Sequence, residues 1–76
     1  MTHNEKLQFY KTQLSTQTPE FKANSEIYLS EIEQIIAGIE SGFSFLIELG
    51  KVPNKELLDT IEEFFDLKKG YEKYSN

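Results

Sequence analysis

The feature that most constrains this chain is a row of large apolar side chains at Leu29, Ile32, Ile36, Ile39, Phe43 and Leu46. Alternating steps of three and four residues keep side chains on one face of an α-helix, whereas one face of a strand repeats every two. The row therefore demands a long helix with a narrow apolar seam, the pattern by which helices pack on helices. No other run alternates apolar and polar residues between turn residues as a strand would. An all-α fold is the expectation.

Local capping chemistry sets the boundaries. Thr2 and Glu5 have the spacing of a capping box, in which a hydroxyl and a carboxylate each satisfy a free backbone N–H, so a first helix is predicted near 3–15. Leu7, Tyr10 and Leu14 share one of its faces. Thr18-Pro19 pairs a hydroxyl cap with a residue suited to the first helical position, and Gly50 followed by Pro53 gives a stop, which bounds a second helix near 19–49. Asn54 caps a third helix near 54–70 that carries Leu57, Leu58, Ile61, Phe64, Phe65, Leu67 and Tyr71, and Tyr71 and Tyr74 either stack on a partner or extend its apolar edge onto the second helix. Its acids come first (Glu56, Asp59, Glu62, Glu63) and Lys68 and Lys69 last, as the helix dipole favours. Gly70 reads as the stop, leaving residues 71–76 as a C-terminal tail.

Of the 26 large apolar side chains, 19 lie between Ile27 and Leu67, so that segment is the folding unit. The short link from Gly50 to Asn54 turns the third helix back on the second as an antiparallel helical hairpin. Residues 1–18, a polar helix and linker, are expected to dock on it, and all 76 residues to form one helical domain. A helix from Pro19 to Leu49 would reach ~46 Å, so the molecule is either elongated or broken, with Gly42 as a place for the break.

A second apolar line runs beside the seam at Tyr28, Ile35 and Leu49, with Phe45 nearby, and Phe65 stands beside Phe64 on the third helix. Gly38 and Gly42 add a small-residue patch that admits close approach of another backbone. One hairpin covers one face. Pairing into a dimeric helical bundle is therefore expected, with Tyr28, Ile35, Gly38, Gly42, Phe45, Leu49 and Phe65 at the homodimer interface.

The chemistry-bearing residues are sparse. There is no cysteine, and the single histidine, His3, lies at the terminus, whereas helical di-metal sites pair glutamates with histidines inside the bundle. Asp59, Glu62, Glu63 and Asp66 then read as a solvated stripe. Gly42-Phe43-Ser44-Phe45 lacks the second glycine of a nucleophile elbow and has no internal histidine to act as base. The glycines do not have the spacing that cradles phosphate. No enzymatic activity, cofactor or metal is expected.

Positive charge is carried by eight lysines without an arginine, and the net charge is -5, which disfavours direct binding to nucleic acid. The most apolar stretch, residues 34–47, is interrupted by Glu40 and would cover ~21 Å as a helix against roughly 30 Å of hydrocarbon. No membrane association is expected. The start of the chain shows no basic-then-apolar leader, so a soluble, cytoplasmic protein is the expectation.

Glu26, Glu33 and Glu40 recur every seven residues, with no lysine between Lys22 and Lys51. They form either a solvated face or a docking surface for a basic protein. The reading that follows is a small acidic helical protein–protein interaction module, working as adaptor, inhibitor or antitoxin-like partner. A purely structural homo-oligomer, or an acidic decoy that competes with nucleic acid for a basic protein, stands as the alternative.

Overall fold

The computed structural model describes residues 2–75, with side chains through Tyr74; Met1 and Asn76, assigned above to the N-terminal segment and the tail, lie outside the described residues. Three helices, α1 (His3–Thr16), α2 (Pro19–Glu48) and α3 (Lys55–Ser75), account for all of these but the short links, and no strand occurs among them.

Each helix begins where its cap chemistry puts it. The Glu5 N–H donates to the Thr2 hydroxyl and the Thr2 N–H to the Glu5 carboxylate, both at 3.1 Å, closing the capping box of α1. These bonds, the one from the Thr2 backbone above all, hold the Glu5 carboxyl below the usual carboxylate range. The Thr18 hydroxyl accepts from the Phe21 N–H at 3.1 Å with Pro19 at the first turn of α2. Asn54 caps α3, its side-chain oxygen accepting from the Leu57 N–H at 2.8 Å.

α2 ends at Gly50, whose φ of 73° is the left-handed geometry glycine adopts without a Cβ penalty. The Lys51 N–H reaches back to the Leu46 carbonyl and the Gly50 N–H to that of Ile47, both at 2.9 Å, so the last carbonyls are satisfied in a Schellman pattern. α2 is assigned as helix straight through Gly38 and Gly42, without the break that Gly42 offered. Thirty residues reach ~45 Å, and the molecule is 46 × 19 × 19 Å, a rod as long as its longest helix.

The core is shared by all three helices: Leu7 and Tyr10 from α1; Phe21, Tyr28, Ile32, Ile36 and Ile39 from α2; Ile61, Phe64, Leu67 and Tyr71 from α3. The seam residues Ile32, Ile36 and Ile39 are buried, while Leu29, Phe43 and Leu46 are half-buried at its flank and end. At the start of α2, the Phe21 ring lies 5.4 Å from that of Tyr71 and 4.8 Å from that of Tyr74, near the end of α3. Close packing of apolar and aromatic side chains is the main force holding such a bundle together.

Two sequence expectations are corrected here. α3 does not stop at Gly70, and residues Tyr71–Ser75 continue the helix instead of forming a tail. Gly70 lies close against α1: a Cβ there would lie 2.7 Å from the Leu14 Cδ2, so the end of that side chain would have to shift. Tyr71, next along, is fully buried and donates its hydroxyl to the Tyr10 carbonyl at 2.8 Å. Tyr28, placed above at a dimer interface, is instead only 8% exposed, because Phe9 and Tyr10 of α1 cover it with ring separations of 5.6 and 5.8 Å.

No described helix is long and apolar enough to cross a membrane.

Candidate functional site

The second apolar line of α2 and the small-residue patch fall on a single row. Tyr28, Glu31, Ile35, Gly38, Gly42, Phe45 and Leu49 follow one another in steps of three and four, so they form one row along the helix. α1 occupies only the first half. Tyr10 packs on Tyr28 and hydrogen-bonds the Glu31 carboxylate, and Ile35 is half-buried against the core. Beyond Ile39 no residue of α2 is fully buried.

The open half of the row comprises Gly38, Gly42, Phe45 and Leu49, with Val52 following in the link to α3. Phe45 is 61% exposed, Leu49 55% and Val52 88%. A Cβ added to Gly38 or Gly42 would meet nothing within 4 Å, so neither glycine serves a close contact within the chain. Gln34, Ser41 and Ser44 are exposed beside them, and no charged residue lies between Glu40 and Glu48. Phe65, also assigned to the interface, is partly exposed on α3.

Glu26, Glu33 and Glu40 are all exposed. At about 100° per residue they lie on the flank of α2 away from the open row, on average about 150° around the helix. The one ion pair among the described residues, Lys11 with Glu63 at 3.6 Å, leaves this stripe unneutralised. The acidic stripe and the apolar row are therefore separate surfaces.

Between α1 and α2 lies an open cleft of about 540 Å³ lined by Lys6, Phe9, Tyr10, Glu31, Gln34 and Ile35. The sequence reading missed it. The pairing of Tyr10 with Glu31 depends on how α1 registers against α2, and no local pattern encodes that. Burial, followed by the hydrogen bond to Glu31, raises the Tyr10 hydroxyl pKa well above its ordinary value, burial does the same for Tyr71, and burial also raises that of Tyr28. Among the described residues no three carboxylates or histidines converge as a metal site would require.

These tyrosines are expected to make the fold sensitive to alkali. An unfolded tyrosine loses its proton near pH ~10, whereas the folded ones hold theirs to higher pH, so their contribution is complete below pH ~10 and is lost as pH rises through the folded values. The expected result is a cooperative loss of helical circular dichroism on the alkaline side, moved to higher pH in Tyr10→Phe. A melting temperature unchanged from neutral pH to beyond about pH 11.5 would contradict it.

No protein-family model, curated protein or solved structure matches the chain, so the functional reading rests on its own geometry.

Proposed function

We propose that this chain is a non-enzymatic helical protein–protein interaction module of the cytoplasm, an adaptor, inhibitor or antitoxin-like partner that docks through α2. In this reading α2 and α3 are an antiparallel hairpin, α1 buttresses one half of it, and the bare half is the working surface. The observation that carries the proposal is the row that α1 leaves unfinished at Gly38, Gly42, Phe45 and Leu49. Neighbouring exposed aromatic and aliphatic side chains on a helix end are the usual anchors of helix-in-groove recognition.

The acidic stripe has a separate role. Glu26, Glu33 and Glu40 project a field of one sign that speeds encounter with a basic partner. With a screening length of about 8 Å at physiological ionic strength, that steering weakens as salt rises.

The experiment compares three immobilised proteins for capture from the native host across a salt series: wild type, Phe45→Ser/Leu49→Ser, and Glu26→Gln/Glu33→Gln/Glu40→Gln. Each substituted side chain is exposed, so helicity should be unchanged and is checked first. The serine pair is expected to lose a stoichiometric partner at every salt. The glutamine triple should slow association and flatten its salt dependence. Identical capture by all three proteins would sink the reading.

A further inference from the structure

The cleft between α1 and α2 carries opposite charges at its two ends. Tyr10 meets Glu31 at one end, while Lys6, a turn earlier on α1, shares the cleft with Gln34 and Ile35, a turn later on α2. The two helices are therefore antiparallel here, and the two charges stand about one helical turn apart, about 5.4 Å. They do not pair with each other, since the one ion pair among the described residues joins Lys11 to Glu63. Between them lies an apolar floor of Phe9, the Tyr10 ring and Ile35. Phe9 packs edge-on against Tyr10 and Tyr28, yet it stays 38% exposed.

The negative end is positioned by the core. The Tyr71 hydroxyl donates to the Tyr10 carbonyl, which helps fix Tyr10, and the Tyr10 hydroxyl donates to Glu31 Oε2. Glu31 Oε1 accepts no hydrogen bond among the described residues, so the carboxylate keeps a free acceptor. At the positive end Lys6 is half-buried, its stem against the apolar wall, and the Gln34 amide stands beside it as a further donor.

We propose that this cleft binds a zwitterionic small molecule, an α-amino acid with a large apolar side chain. Its carboxylate lies against Lys6 and Gln34, its ammonium on the free oxygen of Glu31, and its side chain over Phe9 and Ile35. A volume of about 540 Å³ is within the usual range for small-molecule sites. The paired charges select the class. A neutral apolar ligand would take water from both charges and return nothing, an amine alone would be repelled by Lys6, and a carboxylate alone by Glu31. Only a ligand with both charges close together satisfies both ends. Because the cleft is open to solvent, binding should be weak, with a dissociation constant on the order of 1 mM.

The test titrates the isotope-labelled full chain with three probes of one shape, followed by amide chemical shifts: L-phenylalanine, phenethylamine, which lacks the carboxylate, and 3-phenylpropionate, which lacks the ammonium. The expected result is shifts centred on Lys6, Phe9, Tyr10, Glu31 and Gln34, with phenylalanine binding roughly three- to fivefold tighter than either relative, the scale of one exposed ion pair. Lys6→Met keeps the stem and removes the charge, so phenylalanine should fall to the level of phenethylamine. Glu31→Gln keeps an oxygen for the Tyr10 hydroxyl, and phenylalanine should fall to the level of 3-phenylpropionate. Circular dichroism checks both variants, and the three-probe comparison on wild type stands without them.

No shift at the cleft up to the solubility limit of phenylalanine overturns the proposal. A singly charged relative that binds as tightly as phenylalanine does the same, as does full phenylalanine affinity in either folded variant. The interaction-module reading is tested elsewhere on α2, at Phe45 and Leu49, so the two proposals stand or fall separately.

Discussion

Tyr71→Ala is expected to leave a large fraction of the chain unfolded at 25 °C. The Tyr71 ring is fully buried beside Phe21, and its hydroxyl ties α3 to the Tyr10 carbonyl of α1. Truncating a buried aromatic to alanine costs about 3–5 kcal/mol, and the lost hydrogen bond about 1 more. A domain of this size has roughly 4–11 kcal/mol in all, at 0.05–0.15 kcal/mol per residue. The melting temperature should therefore fall by about 20 °C or more. Tyr71→Phe keeps the ring and loses only the hydrogen bond, so it should cost about 1 kcal/mol. Ending the chain at Gly70 should behave like the alanine variant. A truncated protein that melts within a few degrees of wild type would restore residues 71–76 to the status of a tail.

The second large effect has the opposite sign. Gly38→Ala/Gly42→Ala is expected to stabilise the chain by about 2 kcal/mol, close to 1 kcal/mol for each mid-helix glycine replaced. Nothing in the chain opposes the new methyl groups. For a domain of this length the gain corresponds to roughly 8–16 °C in melting temperature. Gly70→Ala is the internal control. It gains the same propensity but must push the end of Leu14 aside, so its net effect should be close to zero. A double variant that melts below wild type would mean that α2 needs its glycines within the monomer.

What was legible in the sequence was what is settled within a few residues. Thr2 with Glu5, Thr18 with Pro19, Asn54 and Gly50 each act through hydrogen bonds no more than five residues away, and all four mark the helix ends of the structure. The three-four row from Leu29 announced α2 and its buried face. Gly70 misled because a local rule, glycine as a helix stop, competed with a contact to Leu14 that lies far off in sequence. Tyr71 was legible as an extension of the apolar edge of the third helix onto the second, where it meets Phe21, but its hydrogen bond to the Tyr10 carbonyl of α1 was not.

The second face of α2 was visible as a surplus of apolar positions. Its division into a half under α1 and an open half was not, because that depends on the length of α1 and the level at which it meets α2. Tyr28 thus moved from interface to core while Phe45 and Leu49 stayed outside. The exposure of Glu26, Glu33 and Glu40 needed no tertiary information, since three unpaired carboxylates on one flank have no place in a core.

The unequal lengths of α2 and its neighbours leave its two halves differently packed. Ile32 and Ile36 are buried, whereas no residue from Phe43 to Glu48 is fully buried, so amide exchange is expected to be slowest in the first stretch and faster in the second. Under the docking proposed above, association would be coupled to local ordering of α2, and affinity would respond to substitutions that alter helix propensity in those turns even where the substituted side chain never touches the partner.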